Sequence, residues 1–270
     1  MAYLRIIRPV NCVIASVSVL VGAWIGRDIF LSNGLIAAAI IGFMVCAFGN
    51  LVNDIKDIEI DRINNPTRPL PSGKVKKNII WLMAFAFMMC SATASFFLGT
   101  FPFLVVIAAL ILLLFYSVYL KKTLFGNLAV ALISGLSFIL GGLVAGNAAS
   151  LVPLIFSIFI HMPREILKDV MDMRGDRMIG AITLPIMVGT TQAYNISAIF
   201  LSVLCLMLPI PYIIGILDIV YIIIVLAVAY PILIYIIWRL VKKPSVNALP
   251  LVSNLIKASM IVGLAAMIAS

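Results

Sequence analysis

Charge is what this chain has least of. Only 11% of its 270 residues are charged and 64% are apolar, where a soluble globular domain has roughly 45–50% apolar. With a mean hydropathy of +1.23, the composition excludes an ordinary soluble domain. Histidine is nearly missing. His161 is the only one, so no His-based metal site can be built, and a packing or interface role is expected for it. The cysteines Cys12, Cys46, Cys90 and Cys205 stand alone inside apolar segments, without CxxC or ligand spacing, and read as small hydrophobes in helix packing. Arg5 and Arg8 before an apolar run resemble a signal peptide, but in a chain of many spans the first is expected to be retained.

Long apolar runs, by contrast, recur over the whole length. A bilayer core takes about 20 mostly apolar residues per helix. Runs of that order lie near Val10 to Ile25, Leu35 to Val52, Asn78 to Leu98, Phe101 to Leu120, Leu124 to Val144, Leu151 to Ile166, Ala193 to Leu208, Ile213 to Trp238 and Leu249 to Ile268. The expected architecture is all-α: a multi-pass protein of the cell membrane, one domain over residues 1–270, with nine transmembrane helices. Lys and Arg test this, because they stay on the cytoplasmic side of short loops. With the N terminus inside, that side receives Arg5 and Arg8, the six basic residues from Lys56 to Lys77, Lys121 and Lys122, the four from Arg164 to Arg177, and Arg239, Lys242 and Lys243. Of nineteen basic residues only Arg27 and Lys257 fall elsewhere. An odd number of spans puts the C terminus outside. The net charge of +9 thus reads as membrane topology with room for anion binding, and nothing suggests nucleic acid.

Of ten acidic residues, eight fall in two short windows, Asp54 to Asp61 and Glu165 to Asp176, each where an apolar span emerges on the expected cytoplasmic side. Asn50, Asp54, Asp57 and Asp61 are spaced by 4, 3 and 4 residues, and so are Glu165, Asp169, Asp172 and Asp176; an Arg follows each set, Arg62 and Arg177. At about 100° per residue this spacing keeps four side chains within an arc of roughly 60°. Each window is therefore one polar stripe on a helix continuing out of the membrane, with Glu59 off the stripe as a surface charge.

Like charges one turn apart destabilise a helix, so a partner must offset them. Hard cations are the natural partner. Mg²⁺ keeps most of its waters and takes one or two carboxylates plus substrate phosphate oxygens, so two facing acidic helices suit a diphosphate held through bridging metals. The plainer reading pairs the carboxylates with Lys56, Arg62, Lys168, Arg174 and Arg177 on a solvated helix end. The repeated spacing argues against it, since salt bridging does not require it.

The segment GNLVNDIKDIEIDRINNPTRPLPSGKV resembles the first Asp-rich signature of the UbiA superfamily of intramembrane prenyltransferases, NDxxDxxxD followed by a PxRPxPSG loop. REILKDVMDMRGDRMIGAITLPIMVG resembles the second, KDxxDxxGDR followed by TLP. The resemblance covers essentially the whole chain. It implies a helical bundle around a central cavity, capped on the cytoplasmic side by the acidic connections, with a lipid-like acceptor and the prenyl tail of an isoprenoid diphosphate donor in the membrane.

It also implies roles. Asn50, Asp54, Asp57 and Asp61, joined by Asn53, and on the other side Asp169, Asp172 and Asp176, would hold Mg²⁺ against the donor diphosphate. Arg68, Lys121, Lys122 and Lys168 are candidates for neutralising it, with membrane topology the competing reading for Lys121 and Lys122. Asn11, in an RPxN arrangement, Tyr116 and Asn127 match family positions. Lys257 lies roughly 10 Å along the last span, where an anionic group in the cavity explains it better than snorkelling. Pro66, Pro69 and Pro71 with Ser72 and Gly73 are expected to end the helix after Asp61 and to form an extended, stiff cap over the site mouth.

REILKD, GDR and TLP together with INNPTRPLPSG look closest to the branch of the family that joins geranylgeranyl diphosphate to the hydroxyl of geranylgeranylglyceryl phosphate in archaeal ether lipids. Met171, where an acidic residue is usual, and the MIGAIT stretch depart mildly from that pattern. Family members that prenylate aromatic acceptors for quinones or chlorophyll share much of the signature. Two other classes are weighed. CDP-alcohol phosphotransferases carry a DGxxAR signature that is missing here, and a cation transporter would place isolated carboxylates deep in broken helices.

Overall fold

The computed structural model describes residues 2–27, 31–178 and 180–270; Asp28 and, in the MIGAIT stretch, Ile179 lie outside them. Every regular element among the described residues is helical. The principal helices are α1 (Pro9–Trp24), α2 (Asn33–Lys56), the short α3 (Ile58–Asn64), α4 (Lys77–Phe96), α5 (Thr100–Val118), α6 (Gly126–Ala145), α7 (Leu151–Met178), α8 (Thr190–Met207), α9 (Ile219–Val241) and α10 (Leu249–Ile268). Among the described residues eight helices are long and apolar enough to cross a membrane. The first expected span is represented by α1, whose 16 residues make a rod of about 24 Å, shorter than the others.

Local chemistry sets several boundaries. The Ser32 hydroxyl caps α2 by accepting the Leu35 N–H at 3.2 Å, and the Asp218 carboxylate caps α9 by accepting the N–H groups of Val220 and Tyr221 at 2.8 and 3.2 Å. Of the two helices expected to carry the acidic windows out of the membrane, one departs from that expectation. α7 runs through the second acidic window without a break, twelve residues past the expected end at Ile166. α2, in contrast, ends at Asp57, and the rest of the first window belongs to α3.

Two apolar cores divide the bundle. One joins α7 to α10 with Val21 of α1 and Phe138 of α6. The other joins α1, α2, α4 and α5 with Leu140 of α6. The halves meet where α1 and α6 cross. A Cβ on Gly141 would sit 1.7 Å from the Val19 carbonyl oxygen, and one on Gly22 would sit 2.0 Å from that of Phe138, so this crossing admits only glycine at these positions. Between the two cores lies a cavity of about 310 Å³.

Candidate active site

In the first window every stripe carboxylate has a cation, and each cation arrives from elsewhere in the chain. Asp54 pairs with Arg8 at the start of α1, Asp57 with Lys121 after α5, and Asp61 with Arg68, whose Nη1 reaches both carboxylate oxygens at 2.6 and 2.8 Å. All three aspartates are buried. Asn53 joins this array: its amide nitrogen donates to Asp57 at 2.7 Å and its oxygen accepts from Lys121 at 3.2 Å. Asn50 turns its amide nitrogen to the Ile7 carbonyl at 2.9 Å. Glu59 pairs with Arg62 on the exposed side, as a surface charge should.

The proline-rich segment folds back over this array. It is not extended, as expected from its prolines, but a run of tight turns, with Arg68 N–H on Asn65 O, Ser72 N–H on Arg68 O and Gly73 N–H on Leu70 O. Leu70 and Val75 are buried under it, so apolar anchors curl the segment and bring Arg68 down onto Asp61. Burial works against the Arg68 charge, but the bond to Asp61 outweighs it and raises the guanidinium pKa.

The second window is organised differently. Glu165 takes two cations from its own helix, Arg164 at 2.8 Å and Lys168 at 2.6 Å. Asp169 receives only the Asn127 amide at 2.9 Å, and among the described residues Asp169, Asp172 and Asp176 form no ion pair. Asp176 is nevertheless buried. The two windows face each other. The Asn64 amide of α3 donates to the Asp172 carbonyl at 3.1 Å, and Gly175 makes the approach possible, since a Cβ there would sit 2.5 Å from the same amide nitrogen. Asp172 lies within electrostatic reach of Arg68, Lys121 and Asp61 across the gap, and Asp176 of Lys121 and Asp57.

Among the described residues no three carboxylates already converge as a cage for a bare ion. Two opposed sets of hard oxygen donors, one of them with three aspartates that form no ion pair among the described residues, suit a cation shared with phosphate oxygens, which is how Mg²⁺ is usually held.

The cavity opens beneath the stripes. Arg8, Asn11, Asn50, Asn53, Tyr116 and Lys168 line its polar end, and Ile14, Phe138, Phe156, Leu204 and Met260 are among its apolar walls. Lys257 also faces it and donates to the Asn11 amide oxygen at 2.7 Å. Asn11 therefore both lines the cavity and ties α1 to α10. Lys122 differs from its neighbour Lys121: its side chain is exposed, while its carbonyl accepts the Ile182 N–H at 2.8 Å.

The sequence model of the UbiA prenyltransferase family matches residues 15–258. The chain belongs to that family. A digeranylgeranylglyceryl phosphate synthase of Methanocaldococcus jannaschii is 38% identical over 271 residues, 98% of this chain and 94% of that one. A solved structure of a digeranylgeranylglyceryl phosphate synthase superposes with TM-score 0.77 at 32% identity, covering 99% of this chain and 96% of that one. A UbiA homologue from Archaeoglobus fulgidus bound to GPP and Mg²⁺ shares the fold, with TM-score 0.71 at 19% identity and all of both chains covered.

In this UbiA family member the structure also places residues at the site that their sequence signals concealed. Arg8 looked like one more topology charge, yet it is the partner of Asp54. His161 and Arg164 line the cavity, although a lone histidine and a charge at a span's end both have plainer explanations. Glu165 belongs to the stripe by spacing but faces the cavity with Arg164 and Lys168.

Proposed function

We propose that the protein is a Mg²⁺-dependent intramembrane prenyltransferase that moves a geranylgeranyl or related isoprenoid group from its diphosphate to the free hydroxyl of geranylgeranylglyceryl phosphate, in archaeal-type ether lipid synthesis. The observation that carries this is the pairing of a stripe whose aspartates are cation-neutralised with an opposed one whose three aspartates form no ion pair among the described residues, above an apolar cavity. Three clustered carboxylates without an ion pair among the described residues are expensive to keep near buried surface, and a metal–diphosphate complex supplies the missing positive charge. The relatives support the chemistry: one is bound to GPP and Mg²⁺, and two are named for the ether-lipid reaction.

Asp54, Asp57 and Asp61 with Asn50 and Asn53, and across the gap Asp169, Asp172 and Asp176, would hold the metal. When bound, Mg²⁺ would neutralise the departing diphosphate while the allylic carbon–oxygen bond breaks. Lys121 and Arg68, already among the carboxylates, are placed to share themselves with phosphate oxygens; Lys168 lies at the cavity end and Lys122 at the rim. Asn127 holds Asp169 in orientation. Tyr116 faces the polar end of the cavity, within electrostatic reach of Asp57, Asp169 and Glu165. The apolar walls receive the prenyl chains. The acceptor oxygen bonds to the allylic carbon as the diphosphate oxygen leaves, and the hydroxyl proton departs with the diphosphate. The distribution of Lys and Arg supports an orientation with the N terminus and the acidic end on the cytoplasmic side and the C terminus outside.

The test uses purified protein in lipid with Mg²⁺ and radiolabelled geranylgeranyl diphosphate, with geranylgeranylglyceryl phosphate and an aromatic acid offered separately. Metal-dependent product with the glycerol phosphate is the expected result. Product with the aromatic acid alone would replace the acceptor, and transfer to neither would overturn the reading.

A further inference from the structure

Below the acidic stripe of α7 the cavity carries more positive than negative side chains. Arg8, Arg164, Lys168 and Lys257 line it, against Glu165 as the one acidic residue. Arg8 is bound to Asp54 and Lys168 to Glu165. Lys257 has a neutral partner, Asn11, and among the described residues no carboxylate within ion-pair distance. Arg164 gives Nη1 to Glu165, but among the described residues its buried Nε has no partner. The buried Nδ1 of His161, one turn earlier on α7, has none either. Buried polar nitrogens without hydrogen-bond partners are destabilising unless a ligand supplies the partner.

We propose that Arg164, His161 and Lys257 form a metal-independent subsite for the phosphate monoester of the acceptor, an inference that rests on the acceptor reading above. A phosphate monoester dianion is the ligand that two cations and a ring nitrogen complement, through charge-assisted hydrogen bonds. Position agrees. Arg164 precedes Asp169 by five residues on the same helix, about 7.5 Å along its axis, so the subsite is separate from the metal clamp yet opens on the same cavity. In a glycerol phosphate the free hydroxyl lies on the carbon next to the one bearing phosphate. Holding that phosphate one to two turns from the clamp therefore keeps the hydroxyl near the donor's reacting carbon.

Kinetics on geranylgeranylglyceryl phosphate, its phosphate-free analogue and an aromatic acid separate the outcomes, with wild type, Lys257→Met and Lys257→Arg compared. Wild type should favour the phosphorylated acceptor about 100-fold in kcat/KM. Lys257→Met should raise its KM about 10- to 100-fold, leave the donor KM within about twofold, and be rescued by Lys257→Arg. In EDTA the phosphorylated acceptor, and not its analogue, should still raise the wild-type Tm. Equal use of both acceptors by wild type, or a Lys257→Met defect shared equally by the donor KM, would overturn the subsite while leaving the prenyltransferase reading intact. Transfer to the aromatic acid alone would overturn the acceptor reading as well.

Discussion

The two acidic stripes have the same spacing, but their aspartates are in different electrostatic states. Asp54, Asp57 and Asp61 are each met by an Arg or Lys brought from 46, 64 and 7 residues away, and the helix that carries them breaks at Asp57. Asp169, Asp172 and Asp176 lie on one unbroken helix and have no cation within ion-pair distance among the described residues. A stripe that is neutralised in advance is stable and orients its neighbours. A stripe left negative is a standing demand for a cation, and its cost is offset when metal and diphosphate arrive. The spacing alone conceals this division of labour.

The strongest way to break the comparison is to remove one carboxylate from each side. Asp54→Ala and Asp172→Ala should each lower kcat by about 10³-fold or more, measured as prenyl transfer at saturating Mg²⁺. Stability should then distinguish the stripes. Asp54→Asn leaves Arg8 half-buried without its partner, at a cost of about 1–3 kcal/mol, so its Tm in EDTA should fall. Asp176→Asn removes a buried carboxylate that has no ion pair among the described residues, so its Tm in EDTA should hold or rise. Equal losses in both variants would show that the stripes do not differ.

How much of this was legible in sequence follows from the range over which each signal acts. Apolar runs and a stripe at 4-3-4 spacing are properties of one segment, so the helices and the two windows could be read directly, and Leu249–Ile268 has the ends expected of it. The pairing of Arg8 with Asp54 and of Lys121 with Asp57 depends on how α1, α2 and the end of α5 pack, which periodicity does not encode. Positive residues at span ends carried a topological explanation strong enough to hide Arg8 and Arg164. The interruption at Asp57 was invisible for another reason: α3 resumes with Asp61 N–H on Asp57 O at 2.8 Å, so the stripe keeps its spacing across the break.

A smaller effect sharpens the role of the paired side. Lys121→Met would leave Asp57 and Asn53 without their shared donor and the gap without its bridging cation. A fall of about 10- to 100-fold in kcat/KM for the donor is expected, with Lys121→Arg recovering part of it and Lys122→Met costing no more than about threefold. Similar losses at Lys121 and Lys122 would return Lys121 to a topological role. Smaller again is Gly175→Ala. The added methyl would push the Asn64 amide off the Asp172 carbonyl and widen the gap between stripes. Alanine also favours the helix by about 1 kcal/mol, so Tm should hold while transfer falls by about three- to tenfold.

The smallest effect is expected inside the first window itself. Glu59 is one of four carboxylates within eight residues, yet it projects away from the stripe, with its side chain 69% exposed and Arg62, itself 58% exposed, as its partner. Exposed pairs of this kind contribute about 0–1 kcal/mol, and salt screens them further. Glu59→Gln should therefore change kcat/KM by no more than about twofold and leave Mg²⁺ dependence unaltered, where Asp57→Asn, two residues earlier, should be severely impaired. If Glu59→Gln were as damaging as Asp57→Asn, the window would act through its summed charge instead of through the face its spacing defines, and the distinction between a paired and an unpaired stripe would lose its physical basis.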